Sequence, residues 1–373
     1  MKRLIMLAAL PALLLAGCAA QPAASGTETL TVTGSYPLQY AQQFTIDECE
    51  GGYYLITIDG TRYLVVPEGE NAPAELDADI TVLQQPIENI YLVSSSAMDP
   101  IISIGGLGAV ALSGTQAENW YLDAARTAME QGQIVYAGKY SAPDYETILA
   151  ADCGLAIENT MIYHTPEVKE QLEKFGVPVL VERSSYESGP LARMEWVKLY
   201  GILLGKTNEA ERVFADAEQR IAPLADKAPT GKTVAFFSIT SNNLATVRKG
   251  GDYVAEMIKM AGGSYAFADL TDSGNNLATV NISLEDFYAG AKDADVLIYN
   301  STIEGELRSI DELIAKCPML ADFKAVQSGN VWCTAQSLFQ QSMELPDLIL
   351  DMNKVFTEGT PNADELKFLT KLQ

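Results

Sequence analysis

Histidine is almost absent from this chain, with His164 alone among 373 residues. That excludes multi-histidine metal sites and argues against Ser-His-Asp or Cys-His catalysis, which needs an imidazole to carry the proton. His164 itself reads as a loop residue ahead of a helix. Cysteine is scarce at five residues, and none forms a CxxC pair, which argues against structural zinc. Cationic side chains are outnumbered, 25 Lys and Arg against 49 Asp and Glu. The formal charge of −24 argues against nucleic acid or a polybasic membrane contact. No GxSxG elbow and no P-loop occur, and Gly105-Gly106-Leu107-Gly108 lacks the spacing of a dinucleotide loop. The sequence points to binding rather than catalysis.

What is present is an ordinary folded composition, 48% hydrophobic and 20% charged, with length for two domains. The first residues are an address. Lys2 and Arg3 precede an apolar run, Leu4–Leu15, shorter than the roughly 20 residues that span a bilayer. The run ends Leu15-Ala16-Gly17-Cys18, which resembles a bacterial lipobox whose cysteine is lipidated. The reading is a lipoprotein signal peptide over 1–17, then lipidated Cys18 and a flexible tether to residue 30. The expected location is extracytoplasmic, on the outer face of the cell membrane or in the periplasm. Contact with the membrane is through the lipid alone. Cys153 reads as a small buried residue, while Cys317 and Cys333 are able to bridge in an exported protein, though spacing does not pair them.

Residues 31–88 look β-rich. Tyr53–Ile58 and Arg62–Val66 flank Asp59-Gly60-Thr61, a hairpin signal. From Asn89 strands and helices alternate: strands at 89–93, 101–104, 134–136, 153–157 and 177–181, helices at 120–131, 142–151 and 165–175. Val179–Lys206 then gives a buried strand, a Ser/Gly/Pro loop and a helix whose apolar stripe is too wide for a surface helix. A more charged helix follows over 207–227. The alternation returns with strands at 233–239, 295–299 and 330–333 and helices at 253–260, 309–316 and 345–356, plus one capped by Ser283. Such alternation implies mostly parallel sheets covered by helices. Asp144–Asn159 and Leu284–Asn300 echo each other: an acidic helix start, an apolar helix, an Asp, a strand and a final Asn. The expected fold is α/β, with two Rossmann-like lobes joined by a long α-helix and a ligand cleft between them. The lobes span 31–190 and 229–373, and the helical spine 191–228.

Loops at strand ends would line such a cleft. These are Ser94–Met98, Tyr136–Tyr140, Asn159–His164, Arg183–Arg193, Thr240–Lys249, Leu270–Asn276 and Ser337–Gln341. Within them Tyr186, Glu187 and Arg193 are the foremost ligand candidates, with Tyr140, Asn243 and Arg248 beside them.

The lipobox, the two lobes and the linking helix together resemble a substrate-binding lipoprotein of an ABC importer. More narrowly they are similar to the group carrying iron–siderophore complexes, haem or cobalamin, related to the vitamin B12-binding protein. The stretches that carry this are APDYETILAADCGLAI, EWVKLYGILLGKTNEAERVF and ISLEDFYAGAKDADVLIYN, then GNVW. The resemblance implies a non-enzymatic monomer with no resident cofactor. It captures a ferric-siderophore-type metal chelate, or alternatively a corrinoid or haem, and delivers it to a permease and its ATPase. It also implies that one helix-start glutamate per lobe docks on permease arginines, here Glu146 and Glu285. The β-rich segment and the CGLAI strand depart from the family pattern. An α/β surface enzyme or a sensor lipoprotein are the readings from other classes.

Overall fold

The computed structural model describes residues 30–225, 227–271 and 278–373. Cys18 and most of the loop read at 270–276 lie outside the described residues. Three main sheets organise the chain. The first is a five-stranded unit in the order β1 (Val32–Ser35), β2 (Phe44–Cys49), β3 (Tyr54–Ile58), β4 (Thr61–Val66) and β5 (Ile80–Gln84). The hairpin between β3 and β4 turns on Asp59 and Gly60, whose φ values of 49° and 80° are the two left-handed residues of a type I′ turn. Sequence and structure agree there because the signal is local.

The N-terminal lobe follows with β6 (Ile90–Leu92), α1 (Met98–Ser103), β7 (Val110–Ser113), α2 (Asp123–Glu130) and β8 (Val135–Tyr136). A small hairpin, β9 (Gly138–Lys139) and β10 (Ala142–Pro143), leads to α3 (Tyr145–Ala150), β11 (Ala156–Asn159), α4 (Pro166–Lys174) and β12 (Val179–Glu182). Its sheet runs β12-β11-β6-β7-β8, all parallel. Residues 101–104 are the one reversed assignment: 101–103 belong to α1 and Ile104 is its C-cap, so they form no strand. Pro100 sits in the helix's first turn, where its missing N–H costs nothing, and Gly105 ends it at φ 70°.

The connector is two helices rather than one, α5 (Pro190–Leu203) and α6 (Thr207–Ile221). The chain reverses at Leu204-Gly205-Lys206, with Gly205 left-handed at φ 65°. Gly201 lies against Ala210, and Lys198 faces Glu211 and Phe214, so α6 runs back along α5. A Cβ on Gly201 would come within 2.5 Å of the Ala210 Cβ, so only glycine lets the helices approach this closely.

Every α5 residue except Leu191 is buried. The first sheet accounts for much of that. Phe44 packs edge-on to Trp196 at 4.7 Å, and Tyr63 donates to the Val179 carbonyl. The β-rich segment therefore forms its own sheet and braces the connector.

The C-terminal lobe holds β13 (Thr233–Ile239), β14 (Ala245–Arg248), α7 (Tyr253–Met260), β15 (Ser264–Tyr265), β16 (Thr279–Ile282) and α8 (Leu284–Ala291). It continues with β17 (Val296–Tyr299), α9 (Ser301–Glu304), α10 (Ile310–Lys316), α11 (Lys324–Gln327), β18 (Val331–Thr334), α12 (Leu345–Glu358) and β19 (Leu369–Lys371). The order is β16-β14-β13-β17-β18-β19 with β15 beside β13. β13, β17 and β18 are parallel, while β14, β16 and β19 add antiparallel edges. The expected loop at 240–249 is thus largely a hairpin. Cys317 and Cys333 are buried and free; the Cys333 sulfur instead accepts the Leu307 N–H, so the possible bridge does not form.

Candidate functional site

Parallel strands bring the loops after their C-terminal ends to one edge. In the N-terminal lobe that edge carries Tyr121 beyond β7, Tyr136 closing β8, Met161 and Tyr163 beyond β11, and Arg183 and Tyr186 beyond β12. In the C-terminal lobe it carries Ile303 beyond β17 and Gln336, Phe339 and Gln340 beyond β18. The two edges face each other. Gln340 accepts from the Tyr121 backbone N–H and donates to the Asn119 carbonyl, both at 2.8 Å. The Tyr121 hydroxyl donates to Gln336 at 2.7 Å. Deeper in, Ser342 donates to the Ser96 carbonyl and the Met343 N–H to Asp99.

Large apolar side chains exposed in one place need an explanation. Tyr121, Met161, Tyr163 and Ile303 come after strand ends and Tyr136 closes β8, and each is 40% or more exposed. Tyr163 and Tyr186 share Arg183, whose Nη1 donates to the Tyr163 hydroxyl at 3.3 Å and whose guanidinium lies 5.0 Å over the Tyr186 ring. A cavity of about 290 Å³ opens beside Tyr186, reaching Lys249, Asp252 and Thr271 of the other lobe. A second, of about 530 Å³, adjoins it between residues 39–42, the start of α5 and Gly250–Asp252.

The other candidates divide sharply. Glu187 is buried, and its carboxylate accepts the backbone N–H groups of Gln42 and Gln43 and the Trp196 indole N–H. Burial still lifts its pKa, against those hydrogen bonds. Its oxygens hold the first sheet to the connector, and the residue also lines the cavity beside Tyr186. Arg193 is buried at the lobe junction, 4.8 Å over Tyr253, with Nη1 unpartnered among the described residues. Arg248 is buried too, 3.5 Å from Asp252 and 4.8 Å over Phe339. Tyr140 is half-buried in the β9–β10 turn, packed on the N-terminal lobe's apolar cluster. Asn243 caps the β13–β14 hairpin at φ 56° and is exposed there. Of these candidates, Tyr186 and Glu187 line the inter-lobe cavity. Tyr121, Gln336 and Asp59 are the residues that sequence reasoning missed.

Glu146 and Glu285 are exposed in the first turns of α3 and α8. Among the described residues no three His, Cys, Asp or Glu are placed to hold a metal ion. No described helix is long and apolar enough to cross a membrane.

Beneath α3 lies a further carboxyl. Glu158 on β11 is fully buried, both oxygens lack partners among the described residues, and burial alone pushes its pKa up to about 8. The folded pKa exceeds the ordinary 4.5, so the stability this group contributes is complete below 4.5 and lost as pH rises through about 8. Glu158→Met is expected to flatten that dependence, gaining on the order of 2–4 kcal/mol over wild type at pH 8. Urea unfolding at pH 5, 7 and 9 checks this; parallel pH slopes for the two proteins would refute it.

A family model described as periplasmic binding protein matches residues 96–337. An uncharacterized lipoprotein of Methanocaldococcus jannaschii is 24% identical over 318 residues, 80% of this chain and 73% of that protein. A periplasmic heme-binding protein from Pseudomonas aeruginosa shares the fold at TM-score 0.59 and 19% identity, covering 77% of this chain and 99% of its own. An ABC-type Fe3+-hydroxamate transport system structure from Saccharomonospora viridis does so at 0.56 and 18%, covering 73% and 94%. A periplasmic binding protein from Veillonella parvula gives 0.60 and 16%, covering 83% and 99%. The chain belongs to the periplasmic binding protein family, extracytoplasmic proteins that bind a solute and do not transform it.

Proposed function

We propose that this protein is the substrate-binding lipoprotein of an ABC importer, anchored through Cys18, and that it captures a ferric-siderophore-type chelate between its lobes. The observation that carries the reading is the collar of exposed Tyr121, Tyr136, Met161, Tyr163 and Ile303 at the facing strand ends. Such a collar suits a bulky ligand with a broad apolar surface, which an isolated ion or a sugar lacks. The metal is cargo held by its own chelator, so the protein supplies shape and contact. Phenol oxygens at the same rim also suit haem iron, which is the second reading. Glu146 and Glu285 are the proposed contacts with the permease.

Fluorescence titration with ferric siderophores, haemin and cobalamin tests the proposal. Trp120 is buried beside Tyr121 and donates to Ser113, so occupation of the collar is expected to quench it. Saturating ligand at about 100 times Kd adds roughly 2.7 kcal/mol of stability. If no chelate quenches Trp120 or raises the melting temperature, the importer reading fails.

A further inference from the structure

The first sheet lies before residue 96, outside the stretch that carries the family, yet its hairpin tip touches the rim. Asp59 Oδ2 accepts from Arg183 Nη1 at 2.7 Å, and Gln43 Oε1 accepts from Arg183 Nε at 3.4 Å. Arg183 in turn carries the Tyr163 hydroxyl and covers the Tyr186 ring. Asp59 holds a left-handed φ of 49° there, fixed by the turn. The cation at this point of the rim is therefore already matched by a carboxylate of the protein.

We propose that Asp59 is a specificity-determining residue, and that by neutralising Arg183 the accessory sheet selects an uncharged chelate over an anionic one. The inference rests on the importer reading and narrows its ligand class. An anionic chelate seated on Tyr163 and Tyr186 would meet Asp59 as a like charge. A neutral one, such as a ferric trihydroxamate, would meet a rim pair of zero net charge and two aromatic faces.

Ferrichrome (neutral) and ferric enterobactin (triply negative) serve as probes, titrated at low and physiological salt. Wild type is expected to favour ferrichrome. Asp59→Asn keeps the turn and an acceptor for Arg183 but removes the charge. It should raise affinity for ferric enterobactin roughly tenfold at low salt and a few-fold at physiological salt, leaving ferrichrome unchanged. Arg183→Gln should shift the preference the opposite way. If Asp59→Asn leaves the ratio unchanged, or if Asp59→Ala and Asp59→Asn weaken both chelates equally, Asp59 is only structural and the inference falls while the importer reading stands. Failure of both chelates to bind any of the proteins would overturn the two together.

Discussion

Glu195→Ala is expected to cost about 3–5 kcal/mol and to release the first sheet from the connector. Glu195 is fully buried in the middle of α5. Its two oxygens accept the N–H of Gln39 at 2.9 and 3.1 Å and those of Tyr40 and Ala41 at 2.8 Å, and Lys198 Nζ lies 3.1 Å away. Truncation leaves three backbone donors without their acceptor. Lys198, itself buried, is left with Glu211 at 3.5 Å, the Pro37 carbonyl at 3.3 Å and the Phe214 ring at 4.8 Å. A buried donor stripped of its partner loses its desolvation compensation in full, which is why breaking such a cluster costs more than any single bond in it. Glu195→Gln keeps one acceptor and should lose less. Urea midpoints and hydrogen exchange across residues 36–66 read the effect. A wild-type midpoint for Glu195→Ala, with unchanged protection there, would show that the carboxylate is not what holds the sheet.

The same residue shows where sequence reading stops. The width of the apolar stripe on α5 made its burial legible, because period and composition are properties of neighbours in the chain. The backbone donors that Glu195 accepts from are 154 to 156 residues away, and nothing local marks them. The contacts of Glu187 with Gln42 and Gln43, 145 and 144 residues away, are equally unmarked in its neighbours. The Asp59-Gly60 hairpin was legible for the opposite reason, since its turn geometry is written in two adjacent residues. Strands β14, β16 and β19 were missed because they are short antiparallel additions at or near a sheet edge, where one face carries polar residues such as Thr246, Asn281 and Thr370. The cleft loops followed from strand–helix alternation, yet which side chains meet across them depends on how the lobes face each other. Tyr121 and Gln336 are 215 residues apart, and Arg183 and Asp59 are 124 apart.

The echo between the lobes carries the remaining large effect. Glu146→Ala combined with Glu285→Ala is expected to bring chelate uptake to background while ligand affinity stays at the wild-type value. Each glutamate sits in a helix start that another residue already caps. Asp144 accepts the Thr147 N–H and Ser283 accepts the Asp286 N–H. Neither glutamate is therefore needed to satisfy the orphan donors of its helix, and stability should change by no more than about 0.5 kcal/mol. Among the described residues neither carboxylate takes part in an ion pair. An exposed, unpaired carboxylate is well suited to an incoming arginine, which gains a two-pronged hydrogen bond at small desolvation cost. With one such group on each lobe, a permease would grip both halves at once, and losing both would remove the grip without touching the strand ends. Radio-iron uptake by cells carrying only the double variant, measured beside chelate titration of the purified protein, separates the two roles. Uptake at the wild-type rate would end the docking assignment, and a weakened chelate affinity would place these glutamates in ligand binding instead.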